Sequence, residues 1–184
     1  MEAIGGALID EGFRIVEVPL NSPRPFDSIE RLARRFGADA LIGGGTVLDP
    51  ADVSRLADVG GKLVVSPNID TGVIRETVVQ GLISAPGYFT PSEAFTALGA
   101  GAHALKLFPA EAASAAVVKA HRAVLPRDVP IVVVGGITPE RIGEFRAAGA
   151  DGFGLGGALY QPGFTAAQVA ERARGFVAAL KRTD

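Results

Sequence analysis

A (β/α)8 barrel of the TIM type, lacking its first strand, is the fold class that three features of the sequence predict. Short apolar segments alternate with amphipathic ones at roughly 20–28 residues, the repeat of a strand-helix unit. The strand segments are apolar on both faces, as a parallel sheet covered by helices requires. The 24 glycines collect at strand ends, where the chain must turn.

In order, a helical stretch from Ala3 to Glu11 is stopped by Gly12. Strands are predicted at Arg14–Leu20, Leu41–Gly44, Leu63–Ser66, Leu82–Ala85, Ala104–Phe108, Ile131–Val134 and Gly152–Leu155. Helices fall at Ser28–Phe36, Pro50–Val59, Thr71–Gln80, Pro91–Leu98, Ala115–Val124, Pro139–Ala148 and Thr165–Lys181. Asp49-Pro50 and Thr138-Pro139 each put a capping side chain ahead of a proline at the first helical position. Thr90-Pro91-Ser92-Glu93 carries a full capping box. A barrel of this type opens with a strand, and this chain opens with a helix. The expectation is that strand 1 was lost to a start site placed too far downstream, or that the barrel is open there. A doubly wound open sheet is the rival, but Gly43-Gly44-Gly45-Thr46 is not a dinucleotide turn and no phosphate-loop lysine follows it.

Composition narrows the function. With 184 residues the chain suits a single domain over 1–184, and a net charge of −2 offers no surface for nucleic acid. No apolar run reaches a membrane span, and Met1-Glu2 lacks the basic start of a signal peptide, so a cytoplasmic protein is expected. There is no cysteine and there are only two histidines, which argues against a metal centre and excludes thiolate catalysis. His103 begins a strand and His121 lies mid-helix; both read as incidental.

Lys106 is the residue that asks for an explanation. Alternation puts Ala104, Lys106 and Phe108 on one face of their strand and Leu105 and Leu107 on the other. An ammonium among apolar neighbours either snorkels to solvent or is a desolvated amine with a lowered pKa, able to attack a carbonyl carbon. Glu17 is the other charge embedded in a strand, in register with Ile15 and Pro19. Arg14 and Lys62 stand at strand beginnings, on the stability face. Opposite charges that both point inward, toward the catalytic ends of their strands, predict a facing pair with a chemical role; a structural ion pair is the alternative.

Thr46 follows three glycines that permit close approach to a ligand, and its hydroxyl suits a carboxylate or carbonyl oxygen. Pro67, Pro86 and Pro109 are each read as ending a strand and lining a pocket. Gly135-Gly136 and Gly156-Gly157, after the last two strands, predict a phosphate site built from backbone amides.

These segments together resemble a family. Val16-Glu17-Val18-Pro19-Leu20-Asn21-Ser22-Pro23, Gly43-Gly44-Gly45-Thr46-Val47, Ser66-Pro67-Asn68 and Leu105-Lys106-Leu107-Phe108-Pro109-Ala110 are similar to motifs of the class I aldolases that act on 2-keto-3-deoxy-6-phospho sugar acids. Gly135-Gly136-Ile137 and Gly154-Leu155-Gly156-Gly157 extend the likeness over essentially the whole chain. The resemblance implies that Lys106 forms a Schiff base with the substrate's C2 ketone and that Glu17 carries protons. It implies that Thr46 and Pro67 border the pyruvate end, and that Gly135, Gly136, Gly156 and Gly157 hold the phosphate. Asn21, where the gluconate-acting branch carries arginine, adds a substrate-binding position and points to the galactonate-acting branch. A homotrimer without cofactor or metal is implied, with pyruvate and glyceraldehyde 3-phosphate as products. Two departures stand out: the arginine that usually ends strand 1 in this branch is absent, and Gly157 stands where family members often have serine. The competing readings are an aldolase for the gluconate epimer or for 4-hydroxy-2-oxoglutarate, a phosphate-binding barrel without lyase chemistry, and an inactive truncated subunit.

Overall fold

A computed structural model describes residues 1–183. Helix α1 (Glu2–Asp10) leads into β1 (Ile15–Pro19), and strands and helices then alternate: α2 (Pro25–Phe36), β2 (Leu41–Gly45), α3 (Pro50–Asp58), β3 (Leu63–Val65) and α4 (Thr71–Val79). They continue with β4 (Ile83–Ala85), β5 (Gly87–Tyr88), α5 (Pro91–Ala100), β6 (Leu105–Leu107), a 3-10 turn (Ala110–Ala112) and α6 (Ala115–Arg122). The chain closes with β7 (Ile131–Val134), α7 (Pro139–Ala147), β8 (Gly152–Gly154) and α8 (Ala166–Lys181).

All strand pairs are parallel, in the orders β1-β2-β3-β4 and β5-β6-β7-β8. The two ladders are halves of one wall. Only Pro86 separates β4 from β5, and its carbonyl accepts the Lys106 amide at 2.9 Å while Ser84 O accepts those of His103 and Ala104. The proline therefore does not end its strand as expected; it removes one donor and keeps its acceptor, so pairing crosses to β6. Among the described residues β8 and β1 share no ladder, although α1 packs on α8. The helical ring closes while the sheet stays open at one position, which is the barrel without its first strand.

The core lies between sheet and helices. Outward-facing Val16, Val18, Leu105, Leu107, Ile131 and Val133 are buried against Ile29, Leu32, Leu56, Ile142, Phe145 and Phe176. Gly44 also faces outward, where a Cβ would meet Leu56 Cδ1 at 2.6 Å, so α3 sits against bare backbone. Inward-facing positions are less covered: Ile15 is 59% exposed beside the open position.

Caps follow the sequence with two exceptions. Asp49 accepts from the Ala51 amide, and Thr90 with Glu93 forms the expected box. Thr138 occupies its cap position without accepting an amide, contrary to the reading above. Helix α2 begins at Pro25 rather than Ser28, because Arg24 turns through a left-handed conformation (φ 47°) and Pro25 supplies the first helical residue.

Both histidines are structural. His103 Nδ1 accepts from the Ser84 amide at 3.1 Å. His121, buried, lies 3.3 Å from the Tyr88 hydroxyl. Burial lowers the His121 pKa from its usual 6.5 and pushes Tyr88 up to about 12. The folded state thus binds the His121 proton less readily than the unfolded chain, whose histidine titrates near the usual 6.5. This contribution is intact above that pH and is lost as pH falls through the depressed folded value. Urea-unfolding midpoints measured from pH 8 to pH 5 should accordingly drop less in His121→Gln than in the parent; an equal drop would contradict the assignment.

Candidate active site

Strand β6 carries Leu105 and Leu107 at 0% exposure under the helices, so Lys106 between them points into the barrel. Strand β1 does the same for Glu17, set between buried Val16 and Val18. The two side chains lie close enough for each charge to act on the other, yet they form no ion pair or hydrogen bond within the described residues. Lys106 Nζ instead sits 4.8 Å from the centre of the Phe108 ring, two residues on along the same face.

Burial lowers the Lys106 pKa, and the Glu17 carboxylate partly opposes it. Burial likewise raises Glu17, and the Lys106 ammonium opposes that. In each case the loss of water outweighs the attraction. Glu17 remains open to water on the unpaired side of β1, which tempers both effects. A lowered amine pKa favours a nucleophile and a raised acid pKa favours a proton carrier.

Bare backbone makes room for them. The Glu17 carboxylate lies over Gly45, where any Cβ would collide with it. Thr46 follows at φ 56°, a left-handed conformation that a β-branched residue adopts at a cost of about 1–3 kcal/mol. Its neighbours enforce it: Gly45 O accepts the Leu20 amide at 2.8 Å, the Val47 amide reaches Val65 O, and Val47 O accepts the buried Ser66 hydroxyl at 2.7 Å. The strained turn is thus fixed at a half-buried threonine that directly follows Gly45, over which the Glu17 carboxylate lies. The Pro67 carbonyl crosses directly over Gly87, the residue in register with Lys106. Asn21 is exposed in the loop leaving β1.

The glycine pairs form a second pole. Gly135 and Gly136 have φ of 112° and 59°, which only glycine adopts freely. Among the described residues, the amides of Gly135, Gly136, Ile137, Gly156, Gly157 and Ala158 donate to no protein acceptor. Ile137 is only 3% exposed, and an unpaired amide on so buried a residue is rare. Adjacent loops of free N–H groups suit an anion.

Alternation had already placed Phe108 beside the amine, but two features of the site had no signal in the sequence. Gly45 serves Glu17, a residue of the preceding strand. Glu111, in the 3-10 turn after β6, packs its side chain over Gly135 and Gly136. Only long-range contacts define these roles.

A family model, KDPG and KHG aldolase, matches residues 2–171. The chain belongs to that aldolase family. A protein of Rhizobium meliloti (strain 1021), named probable 2-dehydro-3-deoxy-6-phosphogalactonate aldolase, is 49% identical over 97% of this chain and 84% of its own length. The 2-dehydro-3-deoxy-6-phosphogalactonate aldolase of Escherichia coli (strain K12) is 48% identical over 96% and 86% respectively. A solved structure described as native KDPGal superposes with a TM-score of 0.97 at 47% identity, over 99% of this chain and 88% of that one. Members of this family are carbon-carbon lyases, and the parallel α/β fold predicted from sequence is theirs.

Removing the Glu17 charge withdraws the attraction that raises the Lys106 pKa. In Glu17→Gln, amine-specific labelling of Lys106 followed by mass spectrometry should set in at lower pH than in the parent. Gly45→Ala, which displaces the carboxylate, should shift it the same way by less. An onset at unchanged or higher pH would show that the two groups do not sense each other.

Proposed function

We propose that the chain is a Schiff-base aldolase that cleaves 2-dehydro-3-deoxy-6-phosphogalactonate to pyruvate and glyceraldehyde 3-phosphate. The observation that carries this reading is a lysine held inside the barrel with a lowered pKa, opposite a carboxylate with a raised one.

Lys106 Nζ, as the free amine, attacks the C2 ketone, and loss of water leaves an iminium that accepts electrons. Glu17 takes the proton from the C4 hydroxyl as the C3–C4 bond breaks and the aldehyde forms. The bonding electrons pass into the iminium to give an enamine. Protonation at C3 and hydrolysis then return pyruvate and the free lysine. Thr46 and Pro67 border the pyruvate end, Asn21 faces the sugar-acid chain from the rim, and the amides around Gly135, Gly136, Gly156 and Gly157 take the phosphate. The proposal includes a single barrel domain over 1–184, a homotrimer and a cytoplasmic setting, with no cofactor or metal required. No helix among the described residues is long and apolar enough to cross a membrane.

The galactonate epimer is favoured by the relatives: identity is 49% and 48% to the two proteins named for it, against 29% to the KHG/KDPG aldolase of Escherichia coli (strain K12). Pyruvate release should be measured from 2-dehydro-3-deoxy-6-phosphogalactonate and from its C4 epimer. The expected result is a higher kcat/KM for the galactonate compound and roughly a 10²–10⁴-fold loss in Glu17→Gln. A preference for the epimer would move the chain to the gluconate reading, and full activity in Lys106→Ala would remove the lyase reading.

A further inference from the structure

Backbone amides bind an anion only while they stay turned toward it, and glycine loops are the least able to hold a direction unaided. Across a planar trans peptide, a carbonyl and the next residue's N–H point in opposite directions. Fixing one therefore aims the other. Three side chains fix such carbonyls in the two glycine loops. Arg141 Nη1 donates to Gly136 O at 3.3 Å, Gln161 Nε2 to Gly157 O at 3.1 Å and Arg172 Nη1 to Ala158 O at 3.0 Å. The first two bonds turn the Ile137 and Ala158 amides the opposite way, and neither amide has a protein acceptor. The third holds a turn already closed by the Leu159 amide on Gly156 O at 2.8 Å.

The arginines are themselves braced. Arg141 Nε donates to Glu144 at 3.1 Å and its guanidinium lies 4.8 Å from the Phe145 ring centre; Arg172 lies 4.7 Å from that of Phe164. The Glu111 side chain also crowds Gly135 and Gly136.

We propose that Arg141, Gln161 and Arg172 are positioning residues for the substrate's phosphate, holding both glycine loops with their amides presented. The inference rests on the phosphate reading of those loops given above. It explains how a site whose Gly156 and Gly157 offer no side chain can still discriminate for a dianion.

The test is condensation of pyruvate with glyceraldehyde 3-phosphate or with unphosphorylated glyceraldehyde, in the full chain and in Arg141→Met, Gln161→Leu and Arg172→Met. These changes keep the side-chain stem and remove the donor. Each should raise KM for glyceraldehyde 3-phosphate about tenfold, the scale of one lost charge-assisted contact. Little change in kcat is expected, and Arg141→Lys and Arg172→Lys should recover part of the loss. Inhibition by inorganic phosphate should weaken in parallel, a reading independent of turnover. An unchanged KM for glyceraldehyde 3-phosphate, or equal losses with both aldehydes, overturns the inference while the phosphate reading stands. Equal kcat/KM for the two aldehydes in the parent chain overturns the phosphate reading itself, and the inference with it.

Discussion

The structure depends on where an amine is kept. Parallel strands covered by helices bury every second residue on the outside, and on β6 both outer positions are leucines at 0% exposure. Lys106 therefore has the barrel interior as its only direction. There the partial loss of water weakens its hold on a proton more than the Glu17 charge strengthens it. A tight ion pair would have reversed that balance, since a bonded carboxylate stabilises the ammonium. The absence of a direct bond between the two groups is thus a chemical feature: it leaves an amine with a lowered pKa and an acid with a raised one.

The strand that carries the amine also reaches one of the glycine loops. The short run from Lys106 through Phe108 and Pro109 ends in Glu111, whose side chain is packed on Gly135 and Gly136. The loop of free amides is thereby tied to the strand that carries the nucleophile. On the proposed function, a substrate with a ketone near one end and a phosphate at the other is gripped at both, with the bond to be cleaved between them. On the opposite wall, Gly45 yields its side-chain space to the Glu17 carboxylate, and Thr46 is held in a strained conformation by bonds to either side.

Much of this was legible in the sequence because it follows from local rules. Alternation on Arg14–Leu20 and Ala104–Phe108 set the inward faces, and glycine pairs after the last two strands marked the loops. What was missed involves partners distant in the chain or a residue with two roles. Pro86 reads as a strand end because it lacks an N–H, yet its carbonyl still accepts the Lys106 amide, so the strand continues into β5. Thr138 has the form of a cap without accepting an amide. The start of α2 was placed three residues late because Pro25 follows an arginine in a left-handed conformation, which no local pattern announces. Gly45, Glu111, Arg141, Gln161 and Arg172 act through contacts that only the folded chain creates. The missing first strand was read from a count of elements, and the structure shows it as an open position between β8 and β1 while α1 and α8 close the ring outside.

The claim on which the rest turns is that the Lys106 amine bonds covalently to a keto acid, and trapping that bond tests it directly. Incubation with pyruvate and borohydride, then proteolysis and mass spectrometry, should locate a reduced pyruvate adduct on Lys106, with none on Lys62, Lys119 or Lys181. An unmodified Lys106, or an adduct spread over surface lysines, would contradict the account.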